Sequence, residues 1–253
     1  TMMIIRDEGL TENVIAKLPE LRDKIKFVLD PVVDRSGHLT SLGYNTYSPW
    51  INTNLVKAED APKRLKDYLE PKWKGKIVEG DPLIGVGAYL TWVPYLRKGI
   101  IDEAFLRALG KQDLIFQYPQ REAANRVARG DAPLSSLSTE SSFGPLAKEG
   151  APIKALPLED GSMLSPSLTQ AAIKNAPHPN AAIVFLNWRL SQEGQTVYHG
   201  AKGTRSPRND VPDFRNPNAI AGSKQFFAQT EEYVLEGNRL FKEKYLVDLL
   251  GRK

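Results

Sequence analysis

Residues 74–99 read KGKIVEGDPLIGVGAYLTWVPYLRKG. A short apolar strand at 76–78 runs into a turn holding Gly80, Gly85 and Gly87, and the turn opens a helix. Gly85-x-Gly87 begins like a dinucleotide fingerprint, yet Leu90 stands where the third glycine belongs and no Gly-Lys-Ser/Thr follows. Both nucleotide readings are weak. What remains is a strand–turn–helix unit whose helix start presents unpaired N–H groups to something polar or anionic.

The same alternation continues on both sides. Residues 62–69 read as a short helix stopped by Pro71, and Ile101, Ala104, Phe105, Ala108 and Leu109 recur at helical spacing on one apolar face. A strand at 114–118 precedes a helix at 121–129 closed by Gly130, and 152–157 is a further strand. Strands alternating with helices predict an α/β fold with a largely parallel sheet. Two stretches differ: LTSLGYNTYSPWINT (39–53) is extended and long enough to cross between lobes, and MLSPSLTQAAI (163–173) is a second crossing. Beyond them Asn180 is expected to cap a helix carrying Ala182, Phe185, Leu186 and Leu190, and Ser191 to start the next. A last helix at 230–250 aligns Val234, Phe241, Tyr245 and Leu249.

Composition narrows the function classes. A chain of 253 residues, 41% hydrophobic and 25% charged, is an ordinary globular protein of one large or two modest domains, at about 150 residues per domain. Its net charge of +4 is mildly basic, and the short clusters Lys63, Arg64, Lys66 and Lys72, Lys74, Lys76 read as a solvated face. No recognition motif accompanies that charge, so nucleic acid is not the expected partner. There is no cysteine, which removes disulfides, thiol nucleophiles and thiolate metal sites. No apolar run reaches the about 18 residues needed to span a bilayer.

Three blocks then carry a resemblance: INTNLVKAEDAPKRLKDYLEPKWKGKIVEGDP (51–82), GAPIKALPLEDG (150–161) and APHPNAAIVFLNWRLSQEGQTVYHGAKGTRSPRNDV (176–211). In this order they resemble the family 1 extracellular solute-binding proteins of ABC transporters, near the branch of ferric-iron and other small-solute receptors. The resemblance implies a type II periplasmic-binding-protein fold, two α/β lobes joined by crossing hinge strands with a solute between them. It gives 1–53 to part of lobe 1 and the first hinge strand, 54–162 to lobe 2, and 163–253 to the second hinge strand and the C-terminal helices of lobe 1. It also implies that roughly the first 80 to 100 residues of such a protein precede residue 1, on usual lobe sizes. The implied function is capture of a small polar or anionic solute and its delivery to an ABC permease, by a monomer in the periplasm or outside the cell, without cofactor.

Ligands of open α/β sheets bind beyond the carboxyl ends of strands, and two segments qualify. The first runs from Asp81 through Gly85, Val86, Gly87, Ala88 and Tyr89, a donor nest for a polar or anionic group. A tight turn whose glycines serve only backbone freedom is the competing reading. The second, 133–142, gathers hydroxyls around Ser135, Ser138, Thr139 and the carboxylate of Glu140. It suits a polar solute or oxyanion, and equally a solvated loop that caps the next helix. Tyr47 and Trp50 on the crossing strand are candidate ligand contacts, although aromatics in strands more often pack in cores.

In ferric-iron receptors the second segment carries adjacent tyrosines whose phenolates hold the metal. Here Ser138, Thr139 and Phe143 occupy that neighbourhood and no Tyr-Tyr pair occurs, so a hard ferric ion lacks its anionic oxygens and no metal site is expected. The three histidines, His38, His178 and His199, lack metal-ligand spacing. An enzyme or a sensory domain on the same scaffold remains the alternative. No Gly-x-Ser-x-Gly, His-Glu-x-x-His or convergent acid–base pair supports catalysis.

Overall fold

A computed structural model describes residues 2–22, 34, 36–84, 87–228, 235–237, 239, 240, 243 and 245–252. Gly85 and Val86, and Val234 and Phe241 of the expected last helix, lie outside the described residues. The chain forms two compact units: Thr1–Asn45 with Ser165–Arg215 (unit 1), and Thr46–Leu164 with Asn216–Lys253 (unit 2).

Unit 2 is built on strands β3 (Ile77–Gly80), β4 (Ile115–Gln117), β5 (Leu134–Thr139), β6 (Ile153–Ala155) and β9 (Gln225–Phe227). The crossing strands β2 (Thr40–Asn52) and β7 (Ser162–Gln170) join them in one sheet of order β4-β3-β5-β2-β7-β9, with β6 also paired to β2. β3 is parallel to β4 (Val78↔Ile115) and to β5 (Val78↔Ser135), whereas β2 runs antiparallel to β5 (Tyr47↔Thr139, Ile51↔Leu134). Helices α3 (Gly87–Arg97), α4 (Glu103–Gly110), α5 (Gln120–Arg129) and α6 (Glu140–Lys148) alternate with these strands.

The alternating pleat of β3 explains the two-sided core. Ile77 packs with Tyr68, Trp92, Tyr95, Leu106 and Leu134, while its neighbour Val78 packs on the other face with Trp50, Ala124, Val127 and Phe143. A sheet covered on both faces needs apolar residues in both phases, as parallel strands do.

Several elements follow the sequence closely. Asp102 caps α4 by accepting the Phe105 N–H (2.8 Å), and Gly130 ends α5 at φ +83°, a left-handed position that favours glycine. Residues 65–69 and 71–73 form two short 3₁₀ turns instead of one helix. Asp67 accepts from the Lys63 and Arg64 backbone (2.9 and 2.8 Å), and Pro71 opens the second turn at its first position.

Unit 1 pairs β1 (Thr11–Glu12) with β8 (Ala172–Ile173) and adds helices α1 (Met2–Asp7), α2 (Pro19–Arg22), α7 (Pro179–Leu190) and α8 (Gln192–Lys202). Its core is Val14, Leu18, Leu21, Leu42, Leu186 and Leu190. Ser191 caps α8 through the Gly194 N–H (3.2 Å), as expected. The cap of α7 is His178 rather than Asn180, because Pro179 takes the first helical position, where its missing N–H costs nothing.

The largest departure concerns the C-terminal segment. Expected in lobe 1, Asn216–Lys253 groups with unit 2. Helix α9 (Pro217–Ile220) packs on β6, β9 pairs in parallel with β7 (Met163↔Phe226), and helix α10 (Tyr245–Leu249) packs on α4. Arg252 bonds Asp81 across 3.0 Å. Pairings between residues so distant along the chain leave no local signature.

Candidate functional site

The parallel strands β3, β4 and β5 end together, at Gly80, Gln117 and Thr139, and helices α3, α5 and α6 begin just beyond those ends. The antiparallel pairing of β2 brings Tyr47 to the same edge, opposite Thr139. This carboxyl edge of unit 2 is where an open α/β sheet places a ligand.

Thr139 is the centre of the edge. Its hydroxyl donates to Gln120 Oε1 (2.8 Å), lies 2.9 Å from the Ser142 hydroxyl and accepts from Ser141 (3.4 Å). Gln120 opens α5 and Thr139 opens α6, and neither helix start has a side-chain cap. The first-turn N–H groups there, and the half-buried Ser141 and Ser142, offer donors to a polar guest. Tyr118, 53% exposed, stands at the end of β4 beside them. Ser141 and Ser142 lie in the hydroxyl-rich segment 133–142, whereas Gln120 and Tyr118 were not singled out in the sequence, since amide and aromatic residues near helix starts are common.

The structure corrects several expectations. The hydroxyl-rich segment is not a loop: residues Leu134–Thr139 are β5, buried throughout between β3 and β2. Ser135 is fully buried and sits between Val78 and Trp50, away from the edge. Trp50 is fully buried and stacks on Phe143 at 5.2 Å between ring centroids, so it is core and not a ligand contact.

The remaining expected residues gather at the edge but are engaged to different degrees. Asp81 accepts the Leu83 N–H (2.9 Å) and pairs with Arg252, so its carboxylate serves the turn. Glu140 is buried and accepts the Asn216 N–H at 3.3 Å. Tyr47 is buried in the core, which pushes its phenol up to about 12; it stays neutral and offers no phenolate. Gly87, Ala88 and Tyr89 begin α3. Ser138 is the last but one residue of β5, its partner across the antiparallel pair being Ser48.

A buried acid that the sequence reading passed over lies beneath the edge. Glu79, 2% exposed, accepts a hydrogen bond from the Ser136 hydroxyl and one from the Gly80 N–H (3.1 Å). Burial pushes its carboxyl up to about 7, against the opposing hydrogen bonds. A carboxylate inside the apolar run Ile77-Val78-Glu79 was the available signal.

All three histidines belong to unit 1. His199 is fully buried, with Nδ1 2.7 Å from the Thr204 hydroxyl and Nε2 2.9 Å from the Leu42 carbonyl oxygen. Burial pushes it down to about 4, so it is a neutral structural group. Among the described residues no cluster of three or more His, Asp or Glu is arranged to hold a metal, and no helix is long and apolar enough to cross a membrane.

Residues 3–229 match the family model described as bacterial extracellular solute-binding protein. The chain belongs to that family. It is a solute-binding receptor of the ABC import type, acting in the periplasm or outside the cell. No curated protein matches the sequence significantly.

Solved structures agree on the fold. The receptor is similar to the periplasmic binding protein AfuA from Actinobacillus pleuropneumoniae, solved with fructose-6-phosphate (TM-score 0.79, 21% identity, 98% of this chain and 79% of that one). Iron-bound HitA from Pseudomonas aeruginosa matches at TM-score 0.67 and 20% identity, over 95% of this chain and 78% of that one. Apo FutA2 from Synechocystis PCC6803 matches at TM-score 0.69 and 17% identity, over 100% and 82%. The fold is the type II periplasmic-binding arrangement.

Proposed function

We propose that the receptor holds its solute against the carboxyl edge of unit 2, at Thr139, Ser141, Ser142 and Gln120 and the first turns of α5 and α6. The guest is a small polar or anionic molecule, carried unchanged to an ABC permease by a monomeric receptor. One observation carries this: two uncapped helix starts share the hydroxyl cluster centred on Thr139. Donor groups of this kind select oxygen-rich guests, each helix-end contact contributing about 0.3–2 kcal/mol.

Two features weigh against other guests and against chemistry. Iron requires anionic oxygens, whereas Tyr47 is neutral and buried and Asp81 is paired with Arg252. Catalysis requires a free acid, base or nucleophile, and at the edge the Asp81 carboxylate is paired with Arg252, Glu140 accepts the Asn216 N–H, and the hydroxyls of Thr139 and Ser142 are bonded to one another.

The test is thermal melting with sugars, sugar phosphates, organic acids, amines, inorganic phosphate and ferric citrate, followed by mass spectrometry of the recovered ligand. The expected result is a raised melting temperature with at least one polar organic solute, returned intact. Silence across the panel, or conversion of the ligand, contradicts the proposal.

A further inference from the structure

The segment 203–215 of unit 1 carries three arginines, and they differ in one respect. Arg208 bonds Glu20 (2.6 Å) and Asp210 (2.7 Å), and Arg215 pairs with Asp213 (2.6 Å). Arg205 is half-buried, and its guanidinium has no hydrogen bond or ion pair among the described residues. Its backbone is nevertheless firmly placed. The Tyr44 N–H donates to the Arg205 carbonyl (2.9 Å), the Arg205 N–H to the Tyr44 carbonyl (3.4 Å), and a Cβ added at Gly43 would come within 2.7 Å of that carbonyl oxygen.

A half-desolvated guanidinium costs free energy unless something pairs with it. Arg215 adds like-charge repulsion, while the Asp213 carboxylate, already bonded to Arg215, acts in the opposite direction. Five fixed donors suit a carboxylate or phosphate bidentately.

We infer that unit 1 carries an oxyanion site at Arg205, its guanidinium forming a bidentate contact with a carboxylate or phosphate while Tyr44 fixes its backbone and Arg215 adds positive field. The anion comes either from an organic solute or from free phosphate. The inference stands apart from the hydroxyl cluster of unit 2, because it rests on different residues.

Isothermal titration with inorganic phosphate, citrate, fructose 6-phosphate and uncharged fructose tests it, using wild type, Arg205→Gln, Arg205→Lys and Thr139→Ala. At least one anionic probe is expected to bind wild type, more weakly at higher salt. Arg205→Gln should weaken it tenfold or more, and Arg205→Lys should retain part of the affinity. Fructose 6-phosphate or citrate binding more tightly than phosphate identifies an organic solute as the source; phosphate binding equally well identifies the free ion. Anion affinity unchanged in Arg205→Gln, or no anion binding to wild type, overturns the inference. A solute response lost in Thr139→Ala but intact in Arg205→Gln removes the oxyanion site and keeps the receptor reading. A second readout needs no variant: phenylglyoxal should modify Arg205 faster than Arg208 or Arg215, and the bound anion should protect it. Equal reaction rates at Arg205 with and without anion would contradict the assignment.

Discussion

The Ser136 hydroxyl donates a hydrogen bond to the carboxyl of Glu79, tying the adjacent parallel strands β5 and β3 together inside unit 2. Glu79 is buried beside Tyr68 and Trp92, with no cation paired to it among the described residues. It therefore holds its proton more tightly when folded, at about 7, than the ordinary value of 4.5. The stability it contributes is fully present below pH 4.5 and disappears as pH rises through 7. Replacing it by glutamine should leave stability at pH 5 nearly unchanged and raise it at pH 8, by on the order of 3 kcal/mol if the burial effect is fully realised. Urea unfolding of wild type and Glu79→Gln across this range checks it; parallel pH profiles would show that Glu79 is not protonated near neutrality.

His199 works in the opposite direction. Its folded value of about 4 lies below the ordinary 6.5, so the unfolded chain binds the extra proton between them. The contribution is present above pH 6.5 and is lost as pH falls toward 4, up to about 3 kcal/mol. Acid should therefore weaken unit 1 under the pH conditions that favour Glu79 in unit 2. Hydrogen exchange at pH 5 and 8 should show α8 losing protection in acid while β3 and β5 keep theirs. Uniform loss in both would contradict this division.

Gly43 lies against the same histidine. A Cβ there would collide with the His199 ring and with the Arg205 carbonyl oxygen, at a backbone position with no room to yield. Gly43→Ala should cost about 1–3 kcal/mol or more through overpacking. Gly130→Ala, where the new Cβ meets only ordinary contacts at 3.6 Å but φ is +83°, should cost about 1 kcal/mol from backbone strain alone. Chemical denaturation of both variants compares crowding with strain.

Trp50 and Thr139 separate core from edge. Trp50→Ala removes a fully buried ring stacked on Phe143 and should cost about 3–5 kcal/mol, with solute affinity unchanged in the fraction that remains folded. Thr139→Ala should lose only about 1 kcal/mol of stability with its bond to Gln120, yet reduce solute affinity at least tenfold. Titration calorimetry beside denaturation reads both quantities; the reverse pattern would place the ligand elsewhere.

How much of this was legible in the sequence follows from the range of each interaction. Helix α4, helix α5 with Gly130, and a strand at 76–78, observed as Ile77–Gly80, were readable because periodicity and a closing glycine act within a few residues. β5 was misread as a loop because a serine-rich strand lacks the usual alternation; its burial comes from β2 and β3 on either side. The placement of Asn216–Lys253 in unit 2 depends on the pairing of Met163 with Phe226 and the contact of Arg252 with Asp81, which no local pattern encodes. At the site, Thr139 and Asp81 were named in the sequence, and the structure places Thr139 at the start of α6 and Asp81 just beyond β3. Asp81 was not recognisable as internally paired until Arg252 was placed beside it.

The central claim is that the carboxyl edge of unit 2 receives the solute. Amide hydrogen exchange, recorded with and without the probe that raises the melting temperature most, tests it directly. Added protection should concentrate at the start of α6, from Glu140 to Phe143, and at the start of α5, from Arg121 to Ala123. Protection absent from both helix starts while the probe is bound would contradict the account.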